Sequence, residues 1–290
     1  MQKLLDAGFD VRRNSKGRRL KPEEMLPEIG NAEAVIAGLE TYDSSILQAL
    51  PALRCISRCG VGTDTIDLDA AAKRSIAIFT TPDEVGEAAA QLAVAMIFAL
   101  ARNFPQHASD LRNGLWRKLE GFLLSEWTIG IVGFGRIGRL VEKYLRPFGP
   151  RILIADPAIR DENLTPGIEV CDLTRVLKVS DLVTLHASRR AGEGPLLDRQ
   201  AFKEMKYGIR IVNTARGTLI DELALYDALN SGHVAGAAID VFSTEPHCGP
   251  VVQMPQVLCT PHIATMTGAS RGAMERRAAE NVVAFLGRSS

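Results

Sequence analysis

One six-residue segment constrains this chain most: Gly133-Phe134-Gly135-Arg136-Ile137-Gly138, spaced G-x-G-x-x-G. Glycines cluster in many turns, so the spacing alone is a weak signal. Its setting makes it specific. An apolar run (TIGIV) precedes it and a helical pattern (RLVEKYL) follows it, the strand–turn–helix order of a dinucleotide-binding unit. In such a unit the first glycine permits the tight turn, the second lets the backbone approach a pyrophosphate, and the third lets helix pack on strand. The helix N-terminus then offers unpaired N–H groups and a partial positive charge to the phosphates. The next strand candidate ends at Asp156, 18 residues past Gly138. An acid there can hydrogen-bond both ribose hydroxyls and repel a 2′-phosphate, so NAD is expected over NADP. Glycines kept only for packing would leave that acid unexplained.

Short apolar runs alternate with helical patterns along the chain, which predicts an α/β fold with parallel sheets. In the first part, strands are predicted at 34–38, 53–58 and 76–79, and helices at 44–50 and 67–73. A helix predicted over 84–103 is apolar nearly all the way round, as suits a helix wedged between two domains or two subunits. Residues 104–126 read as irregular or weakly helical. From Thr128 onward six strands are predicted, at 129–132, 152–155, 182–185, 211–213, 236–240 and 257–259. Helices are predicted at 138–148, 172–179, 198–205, 221–231 and 270–286. This rhythm fits one doubly wound sheet.

Composition narrows the class. A length of 290 residues suggests two domains, and 46% hydrophobic residues can fill their cores. Thirty-four basic residues balance 34 acidic ones, which argues against a nucleic-acid or membrane-surface binder. Five cysteines, at 55, 59, 171, 248 and 259, form no C-x-x-C pair. A disulfide framework or a structural zinc site is therefore not expected, and a reducing cytoplasm is. No metal site is expected. The N-terminus lacks the apolar region of a secretory signal. The apolar stretch 88–101 is too short to span a bilayer and reads as a buried helix.

Three polar residues stand just after late strands: Arg216, Glu245 and His262. The C-terminal ends of strands in a doubly wound sheet converge on the cofactor crevice, so these residues can meet there. Their chemistry fits hydride transfer between a nicotinamide and a 2-hydroxy or 2-oxo acid. His262 can donate the proton a developing alkoxide needs. Glu245 can orient the ring and stabilise the imidazolium. Arg216 can hold the substrate carboxylate and polarise the carbonyl through its planar fork.

These segments resemble the D-isomer-specific 2-hydroxyacid dehydrogenases, and within them the phosphoglycerate dehydrogenase branch. The resemblance is carried by RCGVGTDTID (58–67), TPDEVGEAA (81–89), GIVGFGRIG (130–138), IADP (154–157) and VTLH (183–186). It continues through MKYGIRIVNTARGTLID (205–221), GAAIDVFSTEP (236–246) and TPHIATMT (260–267). It implies Arg216, Glu245 and His262 in the roles just argued. It also implies that Asp240 bonds the nicotinamide amide and that the Val61 and Gly62 backbone N–H groups bind the substrate carboxylate. Gly133, Gly135, Arg136, Ile137, Gly138, Asp156, His186, Thr214 and Ala215 would border the cofactor. The implied fold is two doubly wound domains, a Rossmann NAD domain (84–265) inserted in a discontinuous flavodoxin-like substrate domain (1–83 plus 266–290). The helix at 84–103 would be the crossing element and the homodimer contact, and domain closure would exclude water.

Two departures from that pattern stand out. No strand precedes the helix-like QKLLDAGFDV, where the family places one, so the substrate domain is expected to lack its first strand. The expectation is that the stated start lies downstream of the natural one, or that the domain is impaired. Second, HASRRAGEGPLLD replaces the family's H-x-P-L-T, with Arg189 and Arg190 expected as solvated loop charges. Arg12, Arg13, Lys16, Arg18 and Arg19 read as an exposed basic loop, Trp116 as a packing residue, and Cys55 and Cys59 as small core residues. The expected activity is NAD-dependent oxidoreduction of a D-2-hydroxy acid resembling 3-phosphoglycerate. A glyoxylate or hydroxypyruvate reductase, or an NAD(H)-sensing binding protein of the corepressor type, is the alternative. No serine-sensing regulatory domain is expected after residue 290.

Overall fold

The computed structural model describes residues 1–159, 167–188 and 192–287. The chain divides into two compact units, Met1–Val85 with Thr265–Ser290, and Gly86–Ala264.

The first unit is built on a parallel three-stranded sheet ordered β1 (Ala34–Ala37), β2 (Cys55–Arg58), β3 (Ala77–Phe79). Its helices are α1 (Gln2–Asp6), α2 (Pro22–Ile29), α3 (Ser44–Gln48), α4 (Leu68–Lys73) and, from the far end of the chain, α11 (Gly268–Leu286). Strand β2 shows why the sheet needs cover on both faces. Cys55 packs with Leu4, Ala279 and Val282 from α1 and α11. The next residue, Ile56, packs with Met25, Ile29 and Leu47 from α2 and α3. Successive side chains of a strand point to opposite faces, so one buried strand feeds two cores. Cys59, expected in the core, is only half-buried.

Strand β1 forms one edge of this sheet. The carbonyls of Glu33 and Ala37 accept from residues beside β2, so the alternating groups of Ala34 and Ile36 face the other way. Beside that edge lies a cavity of about 590 Å³, bounded by Phe9, Val11, Val35 and Tyr42. No described residue adds a fourth strand. The helix-like QKLLDAGFDV is helical only over α1.

The second unit holds a parallel seven-stranded sheet. Its strands are β4 (Thr128–Val132), β5 (Arg151–Ala155), β6 (Ile168–Val170), β7 (Leu182–Leu185), β8 (Ile209–Asn213), β9 (Val234–Ile239) and β10 (Val257–Cys259). Their order is β10-β9-β8-β7-β4-β5-β6. One strand more is present than the six expected, because β6 adds a short edge pairing with β5. The helices are α5 (Gly86–Ala101), α6 (Phe104–Arg112), α7 (Arg136–Leu145), α8 (Leu173–Val179), α9 (Arg199–Glu204) and α10 (Glu222–Asn230).

Helix α5 buries Ala90, Ala93, Met96, Ile97 and Leu100 in a core shared with Ile129, Val141 and Ile154 of its own unit. The chain then bends by 63° into α6, at Asn103 with its left-handed φ of 51°. Trp116, expected to pack, is 85% exposed. Among the described residues no single helix is long and apolar enough to cross a membrane.

Candidate active site

The strand order of the large sheet reverses between β4 and β7, and a crevice opens at such a point beyond the C-terminal strand ends. Glycine is required on the β4 side. Gly133 has φ 89°, and a Cβ there would lie 2.5 Å from the Ala187 nitrogen, in the turn after β7. A Cβ on Gly138 would lie 2.2 Å from the Gly133 carbonyl oxygen, so the third glycine lets α7 press on the turn. Gly135 differs: among the described residues nothing lies within 4 Å of where its Cβ would be. It is also the N-cap of α7, and no side chain caps that helix. The start of α7 thus carries the backbone N–H donors and positive helix end that suit an anion, a glycine cradle.

Asp156 follows β5. Its Oδ2 accepts the Phe134 N–H at 2.7 Å and its Oδ1 the Ala158 N–H at 2.8 Å. The carboxylate is thus fixed beside the glycine turn, with lone pairs remaining for ribose hydroxyls. Across the crevice, His186 donates its backbone N–H to Val132, and its Nε2 lies 2.9 Å from Thr184 Oγ1. Burial pushes the His186 imidazole down to about 3, so the ring is neutral near pH 7. After β8, the buried Thr214 hydroxyl has no hydrogen-bond partner among the described residues. Ala215 follows it. An open cradle, a fixed acid and an orphaned hydroxyl at adjoining strand ends fit a dinucleotide.

The three polar residues stand at the ends of the neighbouring strands β8, β9 and β10. Asn213 closes β8 and is almost fully buried. Its amide donates to the Arg216 carbonyl at 2.9 Å and accepts the Ala215 N–H at 3.0 Å, which shapes the loop that carries Arg216. Glu245 follows β9. Its Oε1 accepts the Phe242 N–H at 3.1 Å, and its Oε2 lies 2.9 Å from His262 Nδ1. Nδ1 facing a carboxylate carries the proton, so Nε2 is left for the reacting atom. Both side chains are partly open to solvent.

His262 sits in a turn with φ 55°, a strained conformation for a residue with a Cβ. Asp240 holds that turn. Fully buried at the end of β9, it accepts from Thr260 Oγ1 at 2.5 Å, Ile263 N at 2.8 Å and Ala264 N at 3.0 Å. Burial raises its pKa, and these donors and His262 oppose the rise. The sequence marks Asp240 as a cofactor contact; the structure gives most of its lone pairs to the turn under His262. Asn213 and Thr260 were not among the sequence candidates. Each is a short polar residue closing a strand, a pattern common enough to hide them.

Val61 and Gly62 lie in the first unit, in the loop after β2. The buried Arg58 shapes that loop, its guanidinium donating to the carbonyls of Gly62 and Cys59. Arg189 and Arg190 lie outside the described residues. Among those described, no group of His, Cys, Asp and Glu is arranged to hold a metal.

Residues 94–264 match the family model for the D-isomer specific 2-hydroxyacid dehydrogenase, NAD binding domain. The chain belongs to this family. It is 34% identical over 265 residues to D-3-phosphoglycerate dehydrogenase of Mycobacterium tuberculosis, covering 90% of this chain and 50% of that protein. The chain thus spans about half the length of that curated relative. Among solved structures, the TT0316 protein from Thermus thermophilus superposes with a TM-score of 0.89 at 33% identity. That match covers 99% of this chain and 93% of the other. A glyoxylate reductase from Paecilomyes thermophila superposes with a TM-score of 0.82 at 31% identity, over 91% and 85% of the two chains. The NAD-binding description covers the glycine cradle, Asp156 and all three polar residues at the late strand ends, since each lies within 94–264.

Proposed function

We propose that this chain is an NAD-dependent oxidoreductase of a small D-2-hydroxy or 2-oxo acid. The observation that carries the reading is the 2.9 Å Glu245–His262 pair, at the end of the sheet that also bears the open glycine cradle. Bound at the glycine cradle and Asp156, NADH would supply the hydride for the substrate carbonyl carbon. His262 donates a proton from Nε2 to the carbonyl oxygen as negative charge develops on it. Glu245 keeps the ring oriented and offsets its positive charge in the protonated state. Arg216 binds the substrate carboxylate and polarises the carbonyl. Backbone N–H groups of Val61 and Gly62 are further substrate contacts. Asp240 holds the His262 turn, and a remaining lone pair can accept from the nicotinamide amide.

A 3-phosphoglycerate-like acid is the favoured substrate, by similarity to the phosphoglycerate dehydrogenase relatives. Glyoxylate or hydroxypyruvate is the second reading, favoured by the superposition on a glyoxylate reductase. The test is NADH oxidation by the purified protein with phosphohydroxypyruvate, hydroxypyruvate, glyoxylate and pyruvate. Fastest turnover of the phosphorylated acid is expected. Fastest turnover of glyoxylate or hydroxypyruvate would give the site to the second reading. Tight NADH binding with no turnover of any acid would make the chain an NAD(H)-binding protein of the corepressor type.

The chain is proposed to act as a homodimer. The surface offered for it follows α5: Leu111, Leu115, Trp116 and Leu123 are more than half exposed within a short stretch of one unit. Its five free cysteines are in keeping with a cytoplasmic site of action.

A further inference from the structure

The Glu245 carboxylate is held by more than its own turn. The segment that presents it, 242–247, is gripped by Gly217 and Glu222 from outside and by a ring stack of its own. Gly217, one residue past Arg216, lies against it so closely that a Cβ would fall 1.9 Å from the Phe242 carbonyl carbon and 2.3 Å from the Ser243 nitrogen. Glu222, at the start of α10, accepts the Ser243 N–H through Oε1 at 2.7 Å. The His247 ring stacks on the Phe242 ring, 4.2 Å between centroids and 10° between planes. Its Nδ1 lies 3.6 Å from Glu222 Oε2, and its buried Nε2 has no hydrogen-bond partner among the described residues. The clamped Phe242–Ser243 peptide adjoins the Phe242 N–H that Glu245 Oε1 accepts. One side chain, Glu222, therefore touches both the backbone and the ring that fix this segment.

We propose that Glu222 is a positioning residue for the Glu245–His262 pair, acting through the Ser243 N–H and seconded by His247. The proposal rests on the oxidoreductase reading for its effect on rate, but its effect on the pair is independent of turnover. A backbone N–H bonded to a carboxylate is held more firmly than one bonded to a neutral acceptor. Releasing it frees the 242–247 segment to move. Glu245 then loses its fixed approach to His262 Nδ1. Without that acceptor, the neutral His262 ring is free to carry its proton on either nitrogen. Glu245 and Asp240 are charged groups set against His262.

The test compares wild type with Glu222→Ala, Glu222→Gln and Glu245→Ala. Glutamine keeps an oxygen for the Ser243 N–H and serves as the conservative rescue. The first readout is the ring nitrogen-15 shifts of His262 at mildly alkaline pH, which report where the proton sits. The expected result is an Nδ1–H ring in wild type and Glu222→Gln, and a shared mixture of tautomers in Glu222→Ala and Glu245→Ala. The second readout is steady-state reduction of the preferred 2-oxo acid. Glu222→Ala is expected to lower kcat by about 10-fold with KM changed less than about twofold, and Glu222→Gln to restore most of the loss. A His262 ring unmoved in Glu222→Ala overturns the proposal, even if the protein melts earlier. Equal defects in Glu222→Ala and Glu222→Gln overturn it as well. Absence of turnover in wild type would defeat the oxidoreductase reading, while the nitrogen shifts would still decide this one.

Discussion

At His186 the surroundings decide the charge of a single half-buried side chain. Burial holds its imidazole down at about 3, against an ordinary value of 6.5. The unfolded chain therefore takes up a proton near pH 6.5 that the folded chain refuses. The folded pKa is depressed, so the contribution to stability is fully present above the ordinary value. It is lost progressively as pH falls toward about 3. In His186→Gln, the difference in melting temperature between about pH 7 and about pH 5 is expected to narrow. An unchanged difference would show that His186 carries none of the acid sensitivity. At this scale the sequence was informative for side chains that leave a strand end: Arg216, Glu245 and His262 are polar residues placed just past apolar runs. It was silent on Asn213, on Thr260 and on what Asp240 bonds. Those partners are fixed by how β8, β9 and β10 lie side by side, which no local spacing encodes.

Helix starts were largely legible because their chemistry is local. Helices α3, α4, α8, α9 and α10 each open on an aspartate whose carboxylate accepts an N–H of the first turn: Asp43, Asp67, Asp172, Asp198 and Asp221. An acidic N-cap satisfies a donor that the helix cannot, and its charge suits the positive helix end. Asp198→Ala is expected to cost about 1 kcal/mol in urea denaturation, and a change below about 0.3 kcal/mol would argue that the cap adds nothing. Gly217 is a harsher case. A methyl group there meets backbone atoms on both sides of the Phe242–Ser243 peptide, which cannot turn aside as a side chain can. Overpacking of this kind costs about 1–3 kcal/mol where neighbours can yield, so Gly217→Ala is expected to exceed that range. A Gly217→Ala protein with wild-type stability would mean that the segment is loosely held. Elements governed by packing were read less well. The strand β6 has three residues and no alternation to expose it. The break after α5 had a visible cause, since Asn103 and Pro105 open a new helix, yet α6 buries only Asp110 and so shows no strong apolar stripe.

For the molecule as a whole, the periodic patterns were enough for the α/β class and a doubly wound sheet, because parallel strands need long crossovers, and those from β4 to β5 and from β6 through β9 show as helices. The division into units is at Val85/Gly86 and Ala264/Thr265. Association between chains is a proposal that rests on exposed apolar residues: the apolar helix that suggested a subunit contact packs in its own unit's core, and exposed Leu115 and Trp116 are proposed as the contact surface. Leu115→Glu with Trp116→Glu is expected to convert a dimer to monomers in sedimentation at micromolar concentration, leaving NADH affinity unchanged. A wild type that is already monomeric, or a double variant that stays dimeric, would remove that surface from the account.

The central claim is that the glycine cradle binds the cofactor while His262 moves the proton, two tasks on separable residues of one sheet. The most direct measurement is on His262→Ala: NADH affinity by fluorescence titration beside the rate of NADH oxidation with the preferred 2-oxo acid. The expected result is NADH binding within about twofold of wild type and a rate lowered by about 10²-fold or more. A His262→Ala protein that still reduces the acid near the wild-type rate would contradict the claim.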